Sequence, residues 1–279
     1  LSILNDDQKK AVTSIDGPCS ILAGAGSGKT RVLTYRAAYL IDKGISPDNI
    51  LLTTFTNKAA GEMKERIAKL TNGYDKPTVG TFHSLCARIL RIDGKNIGFS
   101  ERFTIYDSQD SVDAIKEAMQ KTNVSIKDFK PHSIQATISQ AKNQLINELE
   151  YLNLARGYFQ ENVAKIYPVY QRILKENNAL DFDDLILKTI QLFEKNPQIL
   201  NKYQDKFKYI LVDEYQDTNK AQYILTKMLS GKWNNICVVG DFSQSIYSFR
   251  GANFQNLMTF KNDFKKVITF SLSQNYRST

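Results

Sequence analysis

The sequence predicts an α/β fold: a parallel, doubly wound sheet interrupted by an all-helical insertion. Three observations predict it. Short apolar strand segments alternate with helical ones at both ends of the chain, at 20–22, 50–55 and 79–82 and again at 208–214, 236–241 and 267–272. The first strand runs into the glycine-rich stretch AGAGSGKT (23–30), after which the apolar spacing turns helical. Between about Asp93 and Gln204, β-branched runs disappear and helical spacing takes over.

In chain order, Asn5 or Asp6 is a suitable N-cap for a short helix with Val12 and Ile15 on its apolar side. Gln8 on that helix carries an amide with a donor and an acceptor, as reading an adenine edge requires. After the glycine-rich loop, Val32, Tyr35, Ala38 and Tyr39 share a helical face, and Gly44 is a good C-cap. Asn57 is expected to cap the next helix, with Ala60, Met63, Ile67 and Leu70 on one face. Two Thr-Phe pairs, Thr54-Phe55 and Thr81-Phe82, end strands on one sheet edge, either as core or as stacking platforms for bases. In the insertion, Val112, Ile115 and Met119 mark one helix, Ile134, Ile138, Ala141 and Leu145 another, and Val163, Ile166 and Tyr170 a third, with Pro168 near a turn or kink. Its lysines at 116, 121, 127, 130, 142, 165 and 175 read as a solvated surface or as a stripe for a nucleic-acid backbone. Asp181, Asp183 and Asp184 start a further helix, where acidic side chains suit the helix dipole.

The loop and two carboxylates carry the chemistry. Small residues let consecutive backbone N–H groups turn inward around a phosphate, and the helix N-terminus adds its positive end. Lys29 then reaches the β/γ-phosphates and the Thr30 hydroxyl suits Mg²⁺. The later strand delivers Asp213 toward the same ion and Glu214 as a general base for water.

The bulk numbers are compatible with this. A chain of 279 residues suggests about two domains. Its net charge of +8 makes a polyanionic partner plausible. Cys19, Cys86 and Cys237 lack paired spacing and read as buried thiols of a reducing cytoplasm, and two histidines argue against a zinc site. No apolar run is long enough for a membrane span, and no signal peptide is visible. A start at Leu1 and a stop just after a charged motif suggest a piece of a longer protein.

The motifs together closely resemble superfamily 1 DNA helicases of the UvrD/Rep/PcrA type. The matching stretches are LNDDQ (4–8), AGAGSGKT (23–30), TFTNKAA (54–60), GTFHS (80–84), LDFDDLI (180–186), LVDEYQDTN (211–219), VGDFSQSIYSFRGA (239–252) and QNYRST (274–279), in family order. Ala23, where the strict loop pattern has glycine, is the family's usual residue. The resemblance implies a RecA-like ATP-binding domain from 1–90 and 205–279 (domain 1A) and a helical subdomain from 91–204 (1B). It implies ATP and Mg²⁺ as cofactors. Catalysis falls to Lys29, Asp213, Glu214, Gln244 and Arg277, with Thr30 and Asp213 on the metal. The nucleotide is held by Gln8, Ala23, Gly24, Ala25, Gly26, Ser27, Gly28, Lys29, Thr30, Arg31, Tyr276 and Arg277. The single strand runs over Phe55, Thr56, Asn57, Thr81, Phe82, His83, Tyr247, Phe249 and Arg250.

Two departures stand out: Phe242-Ser243 where relatives carry Asp or Pro then Asp, and Phe249 where a stacking Trp is usual. The function implied is the motor half of a cytoplasmic ATP-dependent 3′-to-5′ DNA helicase. It acts on single-stranded DNA and single-strand/duplex junctions, is monomeric as a fragment, and works with a second RecA-like domain of the same parent. Open alternatives are the ATPase part of an AddA/RecB-like helicase–nuclease and a DNA-binding module with a dead nucleotide site. A GTPase is disfavoured, because Asn57-Lys58 lacks the Asp that guanine recognition needs two residues on.

Overall fold

The computed structural model describes residues 1–24, 26–71, 73, 76–241 and 255–274, without the side chains of 255–258. Two compact units divide the chain. One comprises Leu1–Leu85, Pro197–Asn219 and Tyr223–Thr279; the other comprises Cys86–Asn196 and Lys220–Gln222. The helix Pro197–Lys206, assigned from sequence to the insertion, therefore groups with the first unit.

The first unit is built on a six-stranded sheet. Its strands are β1 (Cys19–Ala23), β2 (Ile50–Thr54), β3 (Thr78–Thr81), β6 (Tyr209–Val212), β7 (Ile236–Gly240) and β8 (Ile268–Leu272), in the order β3-β2-β6-β7-β1-β8. All pairs are parallel, so every strand delivers its C-terminal residue to the same edge. β2 and β7 are buried along their whole length, which is why they read as continuous apolar runs rather than alternating ones. The core joins Ile21, Leu52, Leu211 and Val239 from the strands with Val32, Leu33, Met63 and Ile67 from the helices.

Helix α1 (Asp6–Thr13) starts at Asn5, whose side chain accepts from the Gln8 N–H while Gln8 Oε1 accepts from the Asn5 N–H. Helix α2 (Lys29–Asp42) is followed by Gly44 at φ +85°. Helix α3 (Asn57–Leu70) is capped by Thr56, whose hydroxyl accepts from the Ala59 N–H at 3.1 Å, one residue before the expected Asn57. Both residues are good caps; the extended backbone at Thr56 decides.

The second unit is mostly helical, with α5 (Ser108–Lys121), α6 (Pro131–Asn143), α7 (Glu148–Leu154), α8 (Tyr158–Glu176) and α9 (Phe182–Lys195) following α4 (Phe82–Asp93). It also carries a feature absent from the sequence reading, two two-residue parallel strands, β4 (Thr104–Ile105) and β5 (Ala179–Leu180). Segments this short leave no period to detect. α8 continues through Pro168 rather than ending there. Its apolar face, Val163, Ile166, Tyr167, Tyr170, Ile173 and Leu174, is buried against α5 and α6 and outweighs the hydrogen bond a proline removes. Lys142 is not on the surface, as a solvated or backbone-binding lysine would be. Its side chain is 0% exposed between the carboxylates of Asp181 and Asp184.

Candidate active site

The sheet register brings four sequence-distant residues to one edge. Leu22 pairs with Gly240 and Val212 with Val238, so the loop after β1 lies beside the ends of β6 and β7. The loop is internally tied: the Ser27 hydroxyl donates to the Gly24 carbonyl at 2.8 Å. Gly28 at φ +87° precedes α2, and a Cβ there would lie 3.0 Å from Gln8 Nε2 as well as in a left-handed backbone. Gln8 is fully buried, and its Nε2 donates to the Ser27 carbonyl at 3.0 Å. Its amide thus caps α1 and braces the loop. Each amide atom makes one of these bonds, which leaves Nε2 a second N–H and Oε1 a second lone pair.

Lys29 is the centre of the site. Its side chain is 10% exposed, and the ammonium lies 3.0 Å from Glu214 Oε2 and 3.8 Å from Asp241 Oδ2. The Thr30 hydroxyl donates to Asp213 Oδ2 at 3.4 Å. Asp213 is 3% exposed and its Oδ1 has no hydrogen-bond partner. A hydroxyl and an orphaned buried carboxylate oxygen are hard oxygen donors, the set Mg²⁺ takes when phosphates supply further ligands. Among the described residues no cluster of three or more His, Cys, Asp or Glu could hold a metal by itself.

Burial, and then the neighbouring Glu214 charge, push the Asp213 carboxyl up to about 7; Lys29 and the Thr30 hydroxyl oppose this. The stability consequence has a definite sign. The unfolded carboxyl ionises near 4 while the folded one keeps its proton to about 7, so the folded state binds more protons in that window. Stability is therefore lost as pH rises from about 4 to 7. Asp213→Asn is expected to raise metal-free stability by up to about 1.4 kcal/mol per pH unit across that window. Thermal melts at pH 5 and pH 8 check it; equal melting shifts at both would show that Asp213 is ordinarily solvated.

Glu214 follows in a left-handed backbone, φ +49° and ψ +45°. For a residue with a Cβ this costs about 1–2 kcal/mol, and such strain is concentrated at functional sites. Asp241 was missed as a site residue. The available signal was its position after an apolar run, the same pattern that exposes Asp213. Gln216 and Asp217, hydrogen-bonded to each other beside Glu214, carried no such signal.

The other expected residues separate. Arg31 lines a cleft of about 340 Å³ with Arg66, Lys69, Thr34, Tyr35 and Ile3. Phe55 is half-buried, and Thr56 and Asn57 are exposed. Phe82 is 3% exposed and meets Phe55 edge-on at 6.2 Å; Thr81 is 8% exposed and its hydroxyl accepts from the Ser84 N–H. Phe82 and Thr81 thus support the edge from within, a correction to their expected contact with bases. Burial draws the His83 imidazole below its usual range, so it is neutral at pH 7. Ala25, Gln244, Tyr247, Phe249, Arg250, Tyr276 and Arg277, with Phe242-Ser243, lie outside the described residues.

Comparison with known proteins follows this geometry. A profile of the UvrD/REP helicase N-terminal domain matches residues 4–265. The ATP-dependent DNA helicase PcrA of Staphylococcus aureus (strain Mu50) is 51% identical across 100% of this chain, and PcrA of Bacillus subtilis (strain 168) is 50% identical across the same extent. The chain spans 38% of the length of each. Among solved structures, the Pif1 helicase of Candida albicans aligns over 96% of this chain and 40% of its own at a TM-score of 0.41 and 11% identity. No described helix is long and apolar enough to cross a membrane.

Proposed function

This chain belongs to the UvrD/REP helicase N-terminal domain family, and from that membership we propose that it is the ATP-binding motor half of a 3′-to-5′ DNA helicase acting on single-stranded DNA in the cytoplasm. The observation that carries the reading is the convergence of Lys29, Thr30, Asp213 and Glu214, from two strand ends, within 3.0–3.4 Å contacts. Lys29 exchanges its carboxylate partners for the β/γ-phosphates. Thr30 and Asp213 would hold Mg²⁺, which would supply positive charge against the phosphates when bound. Glu214 orients water and takes its proton. Phe55, Thr56, Asn57 and His83 contribute to the strand path, with Tyr247, Phe249 and Arg250.

In this reading the rest of such a helicase supplies a second RecA-like domain. Its arginine would be worth about 10³–10⁵ in rate. The 279 residues alone are therefore expected to bind ATP and DNA, hydrolyse ATP poorly and leave duplex intact.

The test is anisotropy of a fluorescent single-stranded oligonucleotide against a matched duplex across a salt series. Preference for the single strand is expected, with log K falling by about 0.7 per phosphate contacted and only a few contacts. Equal, purely salt-driven binding to both forms would assign the affinity to the +8 charge and remove the stacking path.

A further inference from the structure

Gln216 links two of the strand ends that form the site. It lies in the 3₁₀ turn Tyr215–Asp217 and is 3% exposed. Its Nε2 donates to Glu214 Oε2 at 2.9 Å and to Asp217 Oδ2 at 3.2 Å. Its Oε1 accepts the Asp241 N–H at 3.0 Å, just past the end of β7. These partners define the amide's orientation. Ionised carboxylates only accept and a backbone N–H only donates, so the reversed amide would face acceptor to acceptor and donor to donor.

Glu214 needs such support. Its left-handed backbone persists only where the surroundings impose it. The turn is anchored from below by Tyr215, 1% exposed and edge-on to Phe260 at 5.8 Å, and by the Thr218 hydroxyl on the Tyr215 carbonyl at 2.7 Å. Those contacts fix the main chain. The carboxylate itself is held by Lys29 and Gln216, which both meet Oε2. Lys29 is also the residue that phosphate would draw away. Gln216 is then the donor that stays. With Oε2 held by Gln216, Oε1 is the oxygen left to accept from a water.

We propose that Gln216 is a positioning residue for ATP hydrolysis: it keeps the Glu214 carboxylate aimed at the water and ties it to the end of β7. The inference rests on the ATPase reading above. In the step concerned, the water oxygen bonds to the γ-phosphorus, the bond to the ADP oxygen breaks, and the water proton passes to Glu214. Gln216 touches none of the reacting atoms.

The test compares Gln216→Met and Gln216→Glu in the protein that carries this sequence together with its second motor domain. Methionine keeps the volume and loses every hydrogen bond. Glutamate keeps an acceptor for the Asp241 N–H but cannot donate to Glu214. Both variants are expected to lower kcat by about tenfold or more, within the 10²–10⁴ that a positioned general base supplies. KM for ATP is expected to stay within about twofold, because ground-state phosphate binding is untouched. In a Glu214→Gln background, Gln216→Met is expected to add no further loss. A full-rate glutamate variant beside a slow methionine variant would reduce Gln216 to a clasp on β7 and overturn the proposal. So would unchanged kcat in both, a rise in KM alone, or an additive double mutant. If methionine prevents folding, the glutamate variant alone still decides. A wild-type protein that does not hydrolyse ATP would sink the ATPase reading together with this one, whereas an active wild type with full-rate variants sinks this one alone.

Discussion

Lys29→Met is expected to lower ATP hydrolysis by about 10²–10³, the range for removing one preorganised electrostatic donor. Nucleotide affinity should fall at least about tenfold with it, since 1.4 kcal/mol of phosphate contact is enough for that factor. The side chain is 10% exposed and its ammonium faces Glu214 and Asp241 directly, with Asp213 close enough for Lys29 to lower its pKa. Removing it takes away the cation that faces Glu214 and Asp241 and leaves the loop to meet phosphate with backbone N–H groups alone. Two changes therefore act together: the phosphates lose a charge partner, and they approach a site whose net charge has become more negative. Titration with a fluorescent ATP analogue and steady-state hydrolysis in the full helicase check both. A variant with wild-type nucleotide affinity would mean that phosphate is held elsewhere than at this loop.

The second large effect concerns stability. Lys142→Met is expected to destabilise the helical unit by about 3–5 kcal/mol, the usual cost of leaving buried charge without its partner. Lys142 Nζ lies 2.6 Å from Asp181 Oδ2 and 2.9 Å from Asp184 Oδ2, and its side chain is 0% exposed. Tyr170 donates to the same Asp181 oxygen at 2.8 Å, the Asp184 N–H donates to Asp181 Oδ1 at 2.8 Å, and Gln171 reaches Asp184. The two carboxylates respond differently. Burial raises both, but Lys142, with these hydrogen bonds, brings Asp181 below its usual range, while burial and the Asp181 charge hold Asp184 above it. Without Lys142 both carboxylates lose the cation that contacts them, only the more distant Lys188 still acting on Asp184, and both would hold protons in the folded state that the unfolded chain has released. The folded variant then binds more protons, so its deficit should shrink on acidification and be larger at pH 8 than at pH 5. Replacing both aspartates by asparagine in the same background should recover part of the loss. A loss under about 1 kcal/mol would place the cluster with solvated surface pairs.

These two lysines also show where the sequence was legible. Lys29 was readable because its role is written locally: a short strand, a run of small residues and a helix start leave one place for the ammonium to go. The same locality made the parallel sheet, the Gly44 helix end and the Asn5 cap readable, since each depends on a few adjacent residues and a short period. The resemblance to a helicase family came from the same kind of signal, eight motifs in order.

Lys142 looked like any other lysine of the insertion. Nothing near it in sequence says that α9 will bring Asp181 and Asp184 to its side from 39 and 42 residues away, and LDFDDLI read as helix capping. Asp181 does cap α9, accepting from the Asp184 N–H, but its other oxygen serves the buried lysine. Gln8 and Phe82 show the same dependence in reverse. An amide and an aromatic ring carry the chemistry to bind a nucleotide or a base, yet burial directs one to the Ser27 carbonyl and the other beneath Phe55. The sequence by itself determined the six strands of the main sheet, their order along the chain, and which strand ends carry glycine, lysine and acid. Only the tertiary structure decided which polar groups face solvent and which face one another, because desolvation and hydrogen-bond pairing depend on distant chain segments that no local period records.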